Sequence, residues 1–138
     1  MAYTQGKAAG GGHGALCGVI GEYGAVTTVS LPWPDKSLHP NARSHWAVKS
    51  RATKAARTQA YWLAHMGMIE LPEGPIAVRI VFHPPDKRGR DLDNMLASCK
   101  AYLDGVSDAY GVNDSRFVLT LERGPVINGG CVSVTIGA

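Results

Sequence analysis

The sequence is short of the features that would place it in many common classes. Its three cysteines, Cys17, Cys99 and Cys131, are odd in number, far apart and in no C-x-x-C arrangement. That argues against a disulfide framework and against a zinc site, and points to a reducing, intracellular setting. No apolar run approaches the ~20 residues of a membrane span, and no cationic segment leads into an apolar one at the start, so a soluble, cytoplasmic protein with no membrane partner is expected. There are no internal repeats. A glycine-rich stretch, Gly6-Lys7-Ala8-Ala9-Gly10-Gly11-Gly12, has no G-K-[ST] after it and no strand before it, so it is not a phosphate loop. Glycine loses much backbone entropy on ordering, and residues 1–24 read as a flexible arm.

What remains is one domain over residues 25–138. With 138 residues in all and 45% apolar content, the chain is long enough for a single compact core. A formal charge of +3 permits nucleic-acid binding without requiring it. Val26 to Leu31 is rich in β-branched residues and stops at Pro32-Trp33-Pro34, which predicts a strand. Asn41 or Ser44 is a candidate cap for a helix from about Ser44 to Met66. On that helix Ala52, Ala55, Ala56, Ala60, Leu63 and Met66 fall on one side, and Arg51, Lys54 and Arg57 on the other. Ile76, Val78, Ile80 and Phe82 alternate with other residues as in a strand with one buried face. Asn94 to about Gly105 is again helical, and Phe117, Leu119 and Leu121 mark a third strand. Asn128-Gly129 signals a hairpin into a fourth strand at Val132, Val134 and Ile136. The order β-α-β-α-β-β predicts an α+β fold of two layers, a four-stranded mixed sheet with two helices on one face.

Chemistry concentrates at Arg88-Gly89-Arg90-Asp91-Leu92-Asp93-Asn94, between a strand end and a helix start. Two carboxylates beside a run of cations suit a hard divalent ion, Mg²⁺ or Mn²⁺, next to a polyanion. The same spacing also serves an N-cap and a first-turn charge. Lys100 stacks two turns above Asp93 on the same helix face, where it could equally pair with Asp104.

Leu31-Pro32-Trp33-Pro34, Pro40 to Trp46, Arg90-Asp91-Leu92-Asp93-Asn94, Leu103-Asp104-Gly105-Val106 and Asn113-Asp114-Ser115-Arg116 together resemble the RusA family of Holliday junction resolvases, particularly its phage-type members. The resemblance covers roughly residues 28–136. It implies a Mg²⁺-binding catalytic cluster at Asp91, Asp93 and Asp114, with Asn113 a neutral neighbour where the family often has a second aspartate. It also implies a catalytic lysine one turn after D-x-D-N. Ala97 stands there, so that role falls to Lys100, one turn further on. The implied activity is structure-selective, metal-dependent cleavage of four-way DNA junctions by paired nicks, performed by a homodimer in recombination and repair, in a bacterial host cytoplasm if the gene is phage-borne. Lys87, Arg88 and Arg90, with Arg43, Arg51, Lys54 and Arg57 beyond them, are candidate phosphate-backbone contacts. Two other readings stand beside this one: a branched-DNA binding protein without catalysis, and a metal-dependent hydrolase acting on nucleotides.

Overall fold

The structure is a computed structural model and describes residues 20–21 and 24–137. The expected arm over residues 1–24 lies outside the described residues apart from 20, 21 and 24. There β1 (Ile20–Gly21) pairs antiparallel with β2 (Gly24–Ala25).

The predicted α+β architecture is present. Strands β3 (Thr27–Pro32), β4 (Ile76–His83), β5 (Phe117–Arg123) and β6 (Cys131–Ile136) form one mixed sheet in the order β3-β6-β4-β5. Ile76, Val78, Ile80 and Phe82 are buried together with Val132, Val134 and Ile136, as alternation demands of strands with one face on the core. Long helix α1 (Trp46–Met66) joins β3 to β4, and Ala56, Ala60 and Ala64 form its buried line. Ala55 and Met66, expected on that line, are exposed, because the contact with the next layer is narrow and small residues fill it. The helix is capped by His45, whose Nδ1 accepts from the Ala47 N–H at 3.1 Å, rather than by Asn41 or Ser44.

Two further departures shape the site. The second helix is not continuous. It breaks at Cys99 (φ −100°, ψ 6°) into α2 (Leu92–Ser98) and α3 (Lys100–Tyr110), and the latter runs through Gly105 to a left-handed Gly111 cap. Gly105 does not end the helix because it is where α3 crosses α1: a Cβ there would lie 2.2 Å from the Arg57 carbonyl oxygen. The expected hairpin at Asn128-Gly129 is also absent, although Gly129 and Gly130 do turn with positive φ. β6 instead lies between β3 and β4, antiparallel to both, while β5 pairs parallel with β4. The connection from β5 to β6 therefore passes over the end of β4, held by Gly124 N–H to Phe82 O at 2.8 Å and Ile127 N–H to Pro84 O at 3.0 Å.

Candidate active site

Parallel pairing of β4 and β5 runs from Ile76↔Phe117 to Phe82↔Arg123. Asp91 follows the exit of β4, whereas Asp114 precedes the entry of β5, so the two belong to opposite ends of this strand pair. The α2–α3 crossover that a parallel pair requires carries the chain back between those ends. Asp93 and Lys100 lie on that return path.

Asp91 is the N-cap residue of α2 but makes no capping bond, and its Oδ2 lies 3.5 Å from the Asn94 Nδ2. It lines a cleft of about 610 Å³ with Trp33, Asn41, Arg90 and Met95. Asp93, two positions on and about 200° around the helix, faces elsewhere. It lines a second cleft of about 490 Å³ with Ala97, Lys100, Asp114 and the apolar side chains of Leu96, Leu103, Phe117 and Leu119. The expected gathering of Asp91, Asp93 and Asp114 into one ligand set is thus made in part. Asp93 and Asp114 share a cleft, and Asp91 lines the other. Among the described residues no three His, Cys, Asp or Glu side chains stand close enough to hold a metal ion together.

Lys100 occupies the centre of the second cleft's polar side. Its Nζ donates to Asp104 Oδ1 at 2.5 Å and to Asp114 Oδ2 at 2.7 Å. The pairing with Asp104 that the spacing offered is present, and Asp114 is a second partner of the same ammonium. Hydrogen bonds donated to Asp104, first, and then to Asp114 hold the ammonium pKa above its ordinary value. The Lys100 ammonium in turn pulls the Asp114 carboxyl below the usual carboxylate range. Lys100 opens α3 directly after the break at Cys99, and its side chain, 58% exposed, reaches across to Asp114. The Asp114 turn is itself fixed. Asn113 Oδ1 accepts from the Ser115 N–H at 2.8 Å, and Arg116 donates to the carbonyls of Gly74 and Pro72 at 2.9 and 2.7 Å.

The cationic loop is organised by a residue that sequence reasoning passed over. Asp86 accepts from the Arg88 backbone and guanidinium and from Arg90 Nη1 at 2.9 Å. These bonds, with Arg90 first, hold its pKa well below the ordinary value. The cue was available in the i, i+2 and i, i+4 spacing of an acid before two arginines. Arg90 is the more enclosed of the two, 18% exposed, and its guanidinium carbon sits 5.5 Å from the centre of the Trp33 ring. Lys87, Arg43, Arg51 and Lys54 are exposed, and Arg57 forms a two-pronged ion pair with Asp108 at 2.6 and 2.9 Å.

Two carboxylates and a lysine in one cleft, with two arginines lining the other, are groups of the kind that phosphate chemistry uses. Similarity makes that indication more specific. The chain is 42% identical over 127 residues to an uncharacterized protein of Xylella fastidiosa, covering 88% of this chain and 82% of that one. It is 30% identical over 117 residues to the crossover junction endodeoxyribonuclease RusA of Escherichia coli K12, covering 79% and 92%. The corresponding enzyme of Enterobacteria phage 82 is 30% identical over 116 residues, covering 78% and 91%. No family model matches the chain. At that identity and coverage, the chain belongs to the RusA family of crossover junction endodeoxyribonucleases. No helix among the described residues is long and apolar enough to cross a membrane.

Proposed function

We propose that this protein is a Mg²⁺-dependent endodeoxyribonuclease that resolves four-way DNA junctions by paired, symmetric nicks, leaving 5′-phosphate and 3′-hydroxyl ends. The observation that carries the reading is the meeting of Asp93, Asp114 and Lys100 in one cleft. Mg²⁺ is commonly held by one or two carboxylates plus substrate phosphates and water, not by an all-protein cage. The donor set of the second cleft fits that mode: Asp93 and Asp114 would hold the ion, while Asp91, the third carboxylate that the family resemblance implies, lines the other cleft. Mn²⁺ is the alternative ion. When bound, the ion supplies a Lewis acid for the phosphodiester and a water of lowered pKa.

The chain's own groups do the rest. Lys100, steadied by Asp104, presents its charge where negative charge accumulates on the phosphoryl oxygens during in-line displacement. Lys87, Arg88 and Arg90 hold the strand backbone, and Arg43, Arg51 and Lys54 extend the contact along the exposed face of α1 and its approach. Arg57 joins this track by exchanging Asp108 for a phosphate. Such contacts place a duplex without reading it, which suits selection by branched shape. Two matched cuts in a two-fold symmetric junction call for two sites in fixed relation, which a C2 homodimer provides. Action in recombination and repair, in the cytoplasm of a bacterial host, follows from that substrate.

The test incubates the protein with a synthetic four-way junction and a matched linear duplex, with and without Mg²⁺, beside Asp93→Asn. Paired nicks in the junction alone, dependent on Mg²⁺ and lost in the variant with binding kept, are expected. Metal-independent junction binding with no cutting under any condition would identify a branched-DNA binder instead, a reading favoured by the absence of a three-ligand cluster among the described residues. Weak, salt-insensitive DNA binding would point to a hydrolase of nucleotides.

A further inference from the structure

Asp93 and Asp114 line one cleft, and like charges gathered at one site repel unless a cation lies beside them. In the structure that cation is the Lys100 ammonium, whose Nζ stands 2.7 Å from Asp114 Oδ2. It sits on a carboxylate that the proposed function gives to the divalent ion. An ammonium and a metal ion both seek the same carboxylate, and each repels the other.

The two bonds of this ammonium differ in kind. The one to Asp104 Oδ1, at 2.5 Å, joins residues four apart on α3, so the helix itself keeps the partners together. The one to Asp114 crosses from α3 to the turn before β5, and its side chains are 58% and 40% exposed, a setting in which ion pairs are weak. Nor does Asp114 need the lysine to keep its place. Its turn is held by the Ser115 N–H donating to Asn113 Oδ1 and by Arg116 donating to the carbonyls of Gly74 and Pro72. There is also room for the lysine to move. A third cleft of about 270 Å³ is lined by Lys49, Thr53, Lys100 and Asp104 but not by Asp114, so Lys100 borders both this space and the second cleft.

We infer that Lys100 is a place-holder for the divalent ion: it covers Asp114 before an ion binds, then gives that carboxylate up and stays on Asp104. The inference rests on the metal-dependent reading above and adds an order of events to it. The ammonium is free to meet a phosphoryl oxygen only once Asp114 is neutralised by something else. Its charge is thereby delivered to a loaded site and withheld from an unloaded one, where it masks a carboxylate that would repel the DNA backbone.

The test follows the whole chain, without DNA, by two readouts that need no cutting. The first is Mn²⁺ affinity, measured from the electron paramagnetic resonance signal of the free ion. Lys100→Met is expected to bind Mn²⁺ about 3- to 10-fold more tightly than the unsubstituted chain, the scale of one exposed ion pair removed from competition. Asp104→Asn is expected to bind it more weakly, and most of that weakening should vanish in the Lys100→Met background, because Asp104 acts by drawing the lysine off. The second readout is the Lys100 Nζ resonance in an NMR titration with Mg²⁺. It is expected to move in step with ion binding and to lose its coupling across the hydrogen bond to Asp114 while keeping the one to Asp104. Equal Mn²⁺ affinity with and without the lysine overturns the inference, as does a Lys100 resonance that Mg²⁺ leaves unmoved. Effects of the two substitutions that simply add also overturn it, since they would make the lysine a nearby like charge and nothing more. Each of those results, with an ion bound, leaves the metal-dependent reading standing. If no variant binds an ion while circular dichroism shows the chain folded, both fall.

Discussion

The two clefts beside the start of α2 differ in almost every respect. One is larger, with an indole, a half-buried arginine and several hydrogen-bonding side chains in its lining. The other is smaller and mostly apolar, its polar groups being Asp93 and the ion-paired Lys100 and Asp114. The larger site carries groups suited to recognition and the smaller carries groups suited to reaction. A D-x-D pair at the start of a helix can serve both because neighbours two apart face different ways.

The sharpest way to break this division is to neutralise the aspartates singly. Asp93→Asn and Asp114→Asn should each lower the cleavage rate at saturating Mg²⁺ by on the order of 100-fold or more, with junction affinity retained in a gel-shift assay. Asp91→Asn should fall as far if the first turn of α2 presents both carboxylates to the loaded site. A loss under about 10-fold would confine Asp91 to the larger cleft and leave the reaction to two carboxylates.

The frames of the two clefts can be compared through their glycines. Gly105→Ala drives a Cβ into the Arg57 carbonyl oxygen where α1 and α3 cross, and backbone on both sides cannot yield easily. A loss of about 2–3 kcal/mol in urea unfolding is expected, at the upper end of overpacking costs. Gly130→Ala meets side-chain atoms of Trp33 and Pro85 at 2.9 and 3.1 Å and strains a φ of +73°. Roughly 1–2 kcal/mol is expected there, with the Trp33 environment altered in its fluorescence.

Much of this was legible beforehand. The buried alternation of β4 and β6 and the length of α1 follow from pattern alone, and the family frame put Asp93, Asp114 and Lys100 forward by number. The illegible parts were decided by tertiary contacts. Asn128-Gly129 has the chemistry of a hairpin turn and does turn, yet β6 finds more apolar partners between β3 and β4 than beside β5. Gly105 reads as a stop in one dimension and is a contact in three. Lys100 stands one turn beyond the position the resemblance implies, and the spacing took the helix as unbroken. The chain instead breaks just before it at Cys99, whose buried thiol has its pKa pushed up to about 12 by desolvation. β5 is an edge strand with Leu119 37% exposed, so its alternation does not report a closed face.

Charge state sharpens the account of the reactive cleft. The Asp114 carboxyl is held below its reference value of 3.8, so its share of the ion pair is complete above that value and is lost as pH falls through the lower folded value. The Lys100 ammonium is held above 10.5, so its share is complete below 10.5 and is lost as pH rises through the higher folded value. Both groups therefore stay charged from about pH 5 to pH 10. Lys100→Met should lower cleavage by about 10- to 100-fold while leaving the shape of the pH–rate profile between pH 6 and 9 unchanged. Asp104→Asn, which removes one of the two carboxylates holding the ammonium, should cost less, about 3- to 10-fold. A profile that gains or loses a limb in Lys100→Met would show the lysine titrating as an acid or base rather than acting as a fixed charge.

The smallest effects should come from the basic track outside both clefts. Each lysine or arginine that contacts a phosphate releases counterions, so removing one weakens binding and flattens the salt dependence by about one unit of slope. Arg51→Ala and Lys54→Ala should do so in a salt titration of junction binding. Arg57 differs because two of its nitrogens already hold Asp108, and a phosphate contact must first displace that carboxylate. Arg57→Ala should therefore change the slope least of the three, and Asp108→Ala, which frees the guanidinium, should tighten binding at low salt. An Arg57→Ala variant that loses as much slope as Arg51→Ala would mean that DNA takes the guanidinium from Asp108 at little cost, and that α1 belongs to the recognition surface along its whole exposed face.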